Sequence, residues 1–360
     1  MKTLNKSHSP SSILPSEKPT QTTKTKEASK LNAFSKLFGR TKPGNNSFSK
    51  PISGNFISLA NTPADKIPEL KTAPGSIYAV TIDPPLDANS KIQLAIDAEL
   101  AAYPYHRSLS KIAKATETNQ KVDAEFFSPH KNWDTARPLA LLAGKAAGLS
   151  VKGSEGFIYD KKSGLTAYVL HNNTLSPPEV RLIFGGTSSG KKTGGLFKRS
   201  ILNGRFSLNQ WIANAKNALF GKVPDSYTQA KVITKKLQLV MQTDPHYQNA
   251  KLIISGHSKG GGEAAYAALS QAQPPEAICF SSAELGKGVL QSLSETSKAN
   301  AARYVSHYNI QGDMVPNLSK VHSKLGHVGK VFTIPCISKS DSSIDRHDKF
   351  TRHIRHFAAK

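Results

Sequence analysis

Leu252-Ile253-Ile254, Gly256-His257-Ser258-Lys259-Gly260 and the alanine-rich stretch from Glu263 to Leu269 read in turn as a strand, a G-x-S-x-G turn and a helix. A serine on such a turn has strained backbone geometry and a hydroxyl that projects clear of the sheet. The next residue opens a helix, so its N–H is free to hold an oxyanion. Glycine is needed on both sides because strand and helix pass so closely that a Cβ would clash. Small residues at Gly261, Gly262, Ala264 and Ala265 let the helix lie tightly on the sheet. The chemistry this predicts is nucleophilic: Ser258 attacks, and the protein is a hydrolase. The bland alternative is a chance pentapeptide, so an acid and a histidine must follow at sensible places.

Acyl transfer by serine needs a general base to take its proton and an acid to orient that base. In hydrolases with this turn the order is serine, acid, histidine. Asp313, in Tyr308-Asn309-Ile310-Gln311-Gly312-Asp313-Met314-Val315-Pro316, lies just beyond a predicted strand, after a glycine. Carboxylates at such strand ends face the crevice above the sheet. Asp313 could instead simply form a turn; Glu284 and Asp345 are weaker rivals. Six histidines follow Ser258: His307 inside a strand, His322 and His327 after the acid, and His347, His353 and His356 in the basic last segment. His353 and His356 could share a helix face and bind a metal. No carboxylate-rich motif accompanies them, so neither a metal nor a cofactor is expected.

The elements that must position these groups alternate along the chain. Strands are predicted at 77–82, 157–159, 165–170 and 180–184, the second and third joined through Asp160-Lys161-Lys162-Ser163-Gly164 as a hairpin. Helices are predicted at 92–102, at 135–147 with Leu139, Leu142 and Ala146 on one face, and at 209–219. Another begins after Pro224, capped by Asp225 or Ser226, with Ala230, Ile233, Leu237 and Val240 on one face. Beyond Ser258, segments 277–280, 288–293, 302–309 and 331–334 continue the alternation. This is an α/β class fold with the nucleophile on a central strand.

The stretch from about 156 to 350 resembles the class-3 lipase family, serine acyl hydrolases of the α/β-hydrolase fold. Phe184-Gly185-Gly186-Thr187 is similar to its F-R-G-[ST] strand end, Gly256 to Gly261 to its G-H-S-L-G-G elbow, and Phe280-Ser281-Ser282-Ala283 to its F-x-S-P segment. Gly312 to Pro316 resembles its catalytic D-x-V-P, and Gly326-His327-Val328-Gly329 its H-V-G. The resemblance implies oxyanion donors at Thr187 and Lys259, Asp313 as the acid, and His327 as a structural histidine. It implies His347 as the base, from the D-H-x-x-Y-like run Asp345 to Phe350, with His353 as the fallback. Lys259 stands where the family usually has leucine, and Gly185 where it has arginine. A lysine there is familiar from bacterial lipase-like proteins, effectors included.

Charge and composition frame this chemistry. The 360 residues carry a formal net charge of +23, which favours polyanionic surfaces such as the anionic leaflet of a membrane. Aromatic residues are not interleaved with the basic ones as a nucleic-acid stacking platform requires, so no nucleic-acid partner is expected. Residues 1–60 hold ten Lys/Arg, two acidic residues and seventeen Ser/Thr. That composition predicts a disordered basic leader over 1–75 ahead of one catalytic domain over 76–360. No run is apolar enough to span a membrane, and no Sec-type h-region follows the first lysine. The leader suits a bacterial effector secreted into a host cell, with a secretion chaperone as a possible partner, or else a plastid transit peptide. Cys279 and Cys336 sit in apolar runs and read as buried strand thiols.

The function these readings point to is a serine lipase or phospholipase acting on lipid esters at an anionic phospholipid surface. The basic loop 188–206 is a candidate lid or docking element. Gly185 to Lys191 nearly spells a phosphate-binding G-x-x-x-x-G-K, but Lys192 stands where Mg²⁺ needs a hydroxyl. The non-enzymatic rival is a silent membrane-binding protein on the same fold.

Overall fold

Twelve strands form among the described residues, the longer ones from runs rich in β-branched and aromatic residues, whose side chains pack well on a pleated surface. The computed structural model describes residues 79–82, 86–107, 119–130, 132–186, 222–320 and 325–360. In chain order the strands are β1 (Ala79–Ile82), β2 (Asp134–Thr135), β3 (Ser150–Lys152), β4 (Phe157–Tyr159), β5 (Thr166–Asn172) and β6 (Glu179–Phe184). Then follow β7 (Lys251–His257), β8 (Glu276–Phe280), β9 (Leu285–Gly286), β10 (Val305–Ile310), β11 (Leu325–Gly326) and β12 (Gly329–Ile334). The main sheet runs β1-β12-β10-β8-β7-β6-β5-β4-β3, with β2 pairing β5. From β1 to β6 its neighbours are parallel; β5, β4 and β3 add on antiparallel. β9 and β11 form a separate antiparallel pair. Thus β7, which leads to Ser258, is central, and β10, which leads to Asp313, lies two strands away.

The helices are α1 (Ala88–Ala101), α2 (Asn119–Phe127), α3 (Arg137–Ala146), α4 (Asp225–Thr243) and α5 (Lys259–Leu269). Beyond them come α6 (Lys287–Ser292), α7 (Glu295–Ala299), α8 (Ala301–Tyr304), α9 (Ser343–Asp348) and α10 (Phe350–Ala358). One core cluster joins α3, α4 and α5 to β5, β6, β7 and β8. A second joins α1 and α10 to β7, β8, β10 and β12. Since side chains alternate across a strand, Ile254 of β7 enters the first cluster and Ile253 the second. Helices therefore cover both faces, and the parallel centre is apolar on both, as such sheets require.

Four expectations change in detail. α3 turns Leu139, Ala140, Ala143 and Gly144 inward, while Leu142 is 53% exposed. Strand β3 comes so close that a Cβ at Gly144 would stand 2.4 Å from Val151, so small residues join Leu139 on that face and Leu142 turns outward. α4 has Pro224 at its N-cap and no side-chain cap; Asp225 sits in the first turn instead, where its charge suits the helix dipole. Of segment 302–309, the first residues finish α8 and the strand begins at Val305. Cys279 is buried in β8, but Cys336 is only partly buried and lies past the end of β12. The candidate helix at 209–219 lies outside the described residues.

Candidate active site

Ser258 sits between β7 and α5 with φ 60° and ψ −127°, a conformation that costs a non-glycine residue about 1–3 kcal/mol. Backbone bonds hold it there. Its N–H donates to the Phe280 carbonyl at 3.1 Å, and its carbonyl accepts from Gly261 at 3.1 Å and from Ala283 at 2.9 Å. The flanking glycines are sterically required. A Cβ at Gly256 would meet the Gly260 carbonyl at 2.4 Å, and one at Gly260 the Phe184 carbonyl at 2.3 Å. The elbow is thereby clamped between β6, β7 and β8.

Lys259 is the first residue of α5, so its N–H has no acceptor within the helix and can face a developing oxyanion. Its side chain turns inward and pairs with Glu263, which is fully buried one turn on; it also reaches the Gly164 carbonyl at 3.4 Å. The second predicted oxyanion donor, Thr187, lies outside the described residues, as do His322 and the basic loop 188–206. Of the phosphate-loop-like run, only Gly185 and Gly186 are described. The Gly185 N–H bonds the Thr166 carbonyl at 2.9 Å.

Asp313 follows β10 through Gly312, whose φ is +78°. It is buried, and its Oδ1 accepts the Val315 N–H at 2.9 Å. Its Oδ2 lies 2.9 Å from Nδ1 of His347, on the buried face of α9. Burial alone would lower the pKa of His347. The charge of Asp313, its hydrogen bond and the charge of Asp348 outweigh that and hold the pKa above the ordinary value. The His347 ring lies 4.4 Å from the ring of His257, the residue before Ser258, and its carbonyl accepts the His257 Nε2–H at 3.0 Å. The serine turn, the candidate acid and the candidate base therefore converge at one end of the sheet.

The other titratable candidates are engaged elsewhere. His353 accepts the Ile337 N–H on Nδ1 at 3.1 Å, and its nearest carboxylate partner is Asp341 at 3.9 Å. His353 is buried while His356 is exposed, so the two do not share an environment. Among the described residues no group of three or more His, Cys, Asp or Glu could hold a metal. His327 donates from Nε2 to the Pro316 carbonyl at 3.1 Å and so steadies the loop after Asp313; burial pushes its pKa down to about 4. His307 donates to Val328 and accepts from Ser282 inside the core. Asp345 pairs with Lys349 and with the Ser342 cap of α9.

Three supporting residues gave no signal of their supporting contacts in the sequence. Arg346 donates to the Gln311 carbonyl at 3.2 Å and the Lys339 carbonyl at 3.0 Å, lashing the acid's loop to the helix that carries His347. Tyr105, beyond α1, bonds Nδ1 of His257 at 2.8 Å, and His257 itself stacks on Phe350 at 4.1 Å. Arg346 and His257 could be suspected only as neighbours of the motif residues; Tyr105 lies 152 positions from its partner.

A family model for the Tle-like phospholipase domain matches residues 131–335, more than half the chain. The chain belongs to the Tle-like phospholipase domain family. The match takes in β2 through β12, including Ser258 and Asp313, and ends before His347. Among solved structures, Lip2 lipase from Yarrowia lipolytica aligns at 14% identity over 71% of this chain and 82% of that one, with a TM-score of 0.42. A fungal lipase in complex with an inhibitor aligns at 14% identity over 68% and 80%, with a TM-score of 0.40. No curated protein matches the sequence. As a Tle-like phospholipase domain, the protein has the lipase-like α/β-hydrolase fold that its mixed, helix-flanked sheet displays.

Proposed function

We propose that this Tle-like domain is a serine ester hydrolase acting on lipid, with phospholipid as the substrate class. The observation that carries the reading is the 2.9 Å Asp313–His347 contact beside a serine held at φ 60° on its elbow. In the proposed reaction His347 Nε2 takes the Ser258 hydroxyl proton as Oγ attacks the ester carbonyl. Asp313 steadies the imidazolium through Nδ1–H. The Lys259 N–H and Thr187 hold the oxyanion. Collapse expels the alcohol, which takes the proton from His347, and water then releases the acyl group by the same route. His353 is not proposed as the base, because its Nδ1 already accepts a backbone N–H.

The net charge of +23 supports an anionic phospholipid surface as the working environment. Lys191, Lys192, Lys198, Arg199 and Arg205 supply a basic run free of acidic residues. Delivery into a host cell is part of the proposal, resting on the basic, Ser/Thr-rich composition of residues 1–75. A reporter fused to those residues that stays unexported would remove that part.

The test of the chemistry is labelling by a fluorophosphonate probe, with mass spectrometry of products released from mixed anionic liposomes. Wild type should be labelled at Ser258 and release fatty acid. Ser258→Ala should lose labelling and on the order of a millionfold in turnover. Folded wild-type protein that neither labels nor hydrolyses any lipid would leave the silent membrane-binding reading in its place.

A further inference from the structure

Gly186, just before the predicted oxyanion donor Thr187, His257, just before Ser258, and the carbonyl of the candidate base meet on one hydrogen-bonded chain. Gly186, next to Thr187, donates its N–H to the Tyr105 hydroxyl. That hydroxyl lies 2.8 Å from Nδ1 of His257. On the other side of the ring, Nε2 lies 3.0 Å from the His347 carbonyl. A carbonyl only accepts, so Nε2 carries the proton in the neutral ring. Nδ1 is then bare, and the Tyr105 hydroxyl is the donor to it.

Each link has one chemical direction. Gly186 donates to Tyr105, Tyr105 to His257, and His257 to the backbone of residue 347. The Nδ1–H tautomer would turn a lone pair toward the His347 carbonyl and leave Tyr105 without an acceptor. Sterics point the same way: a Cβ at residue 186 would stand 2.0 Å from the Tyr105 oxygen, so the phenol fills the space a side chain would need. This accounts for Gly186 without any phosphate-binding role. His257 is 4% exposed and its ring is stacked on Phe350, so it has little freedom to turn.

We infer that Tyr105 and His257 are positioning residues that fix the base-bearing helix and the oxyanion strand end in register with the nucleophile turn, Tyr105 acting by locking His257 in its Nε2–H form. The inference rests on the proposed serine chemistry for its kinetic consequences, but not for its structural ones. The depressed pKa of His257, caused first by burial and then by the neighbouring His347, agrees with a ring that stays neutral.

The experiment has a kinetic arm and a spectroscopic arm. With a short-chain p-nitrophenyl ester, Tyr105→Phe should lower kcat about tenfold or more while KM stays within about twofold. His257→Gln, which keeps one donor and one acceptor, should retain more kcat than His257→Leu. Adding Tyr105→Phe to His257→Leu should cost little more, since the two act as a unit. In the spectroscopic arm, histidine ¹⁵N NMR on Ser258→Ala protein should show His257 neutral with Nε2 protonated across pH 6 to 8, and Tyr105→Phe should mix the tautomers. A His257 that titrates near its ordinary value, or is already Nδ1-protonated, overturns the inference. So does a Tyr105→Phe variant with unchanged kcat and only a lowered Tm. Because the NMR arm needs no turnover, a failed reaction assignment and a failed relay give different results.

Discussion

Lys259 shows how a side chain can depart from a family pattern for an internal reason. Where leucine would be usual, its ammonium pairs with Glu263, a carboxylate with no exposed surface and one oxygen without a partner among the described residues. Removing one member of a buried ion pair strands the other and typically costs about 3–5 kcal/mol, whereas replacing both with apolar groups can be near neutral. Lys259→Leu should therefore destabilise the protein by about that amount in urea unfolding. Lys259→Leu/Glu263→Leu should recover most of the loss. Equal stability for the single and double variants would show that the pair is not coupled. The lysine was visible in the sequence as a departure; its partner, one turn on and buried, was not, because a glutamate four residues from a lysine is ordinarily a solvent-exposed pair.

Among the elements, the loop 311–313 and helix α9 form the least obvious unit. The acid and the candidate base come from different elements, and Arg346 bridges them by donating to Gln311 and Lys339. Its guanidinium lies across Gly312, where a Cβ would stand 1.8 Å from Nη1. Arg346→Met keeps the length of the chain but loses both bonds. It should lower kcat about tenfold or more, with the substrate KM little changed, since a shift of about 1 Å in such a pair can cost a hundredfold. Steady-state kinetics on a soluble ester check this, and an unaltered kcat would make the bridge merely structural. Strands β6, β7 and β8 were legible as apolar runs; β10 was legible only within segment 302–309, whose first residues finish α8. Helix α3 was legible as an element but not fully in its facing, because the close approach of β3 put Ala140, Ala143 and Gly144 beside Leu139 and left Leu142 outside.

On the scale of the whole molecule, pH acts in two directions. His347 has a raised pKa, so the proposed base is neutral only above its ordinary range, and the acidic limb of kcat/KM should lie above about pH 6.5. As a raised group, its contribution to stability is present below pH 6.5 and fades as pH rises through its folded value. His257, His307 and His327 have depressed pKa values, each caused first by burial. Below about pH 6.5 the unfolded chain takes protons that these buried rings refuse, so stability falls on acidification. Each contributes a limiting slope of ~1.4 kcal/mol per pH unit. Urea unfolding between pH 7 and 5 should show this loss, reduced in His327→Asn. A flat profile would mean that these rings accept protons in the fold.

Local sequence determined the elbow, a leading candidate for the acid and the order of strands and helices, because each depends on neighbours a few residues apart: glycine beside serine, an aspartate after a strand, apolar periodicity. Resemblance to a known family narrowed the histidines to His347, with His353 behind it. Only the tertiary structure gives them different surroundings, burying His347 against Asp313 and turning His353 to a backbone N–H. The same holds for Tyr105, His257, Glu263 and Arg346. What each does depends on which donor meets which acceptor across long stretches of chain, and burial makes those meetings specific by removing water as an alternative partner.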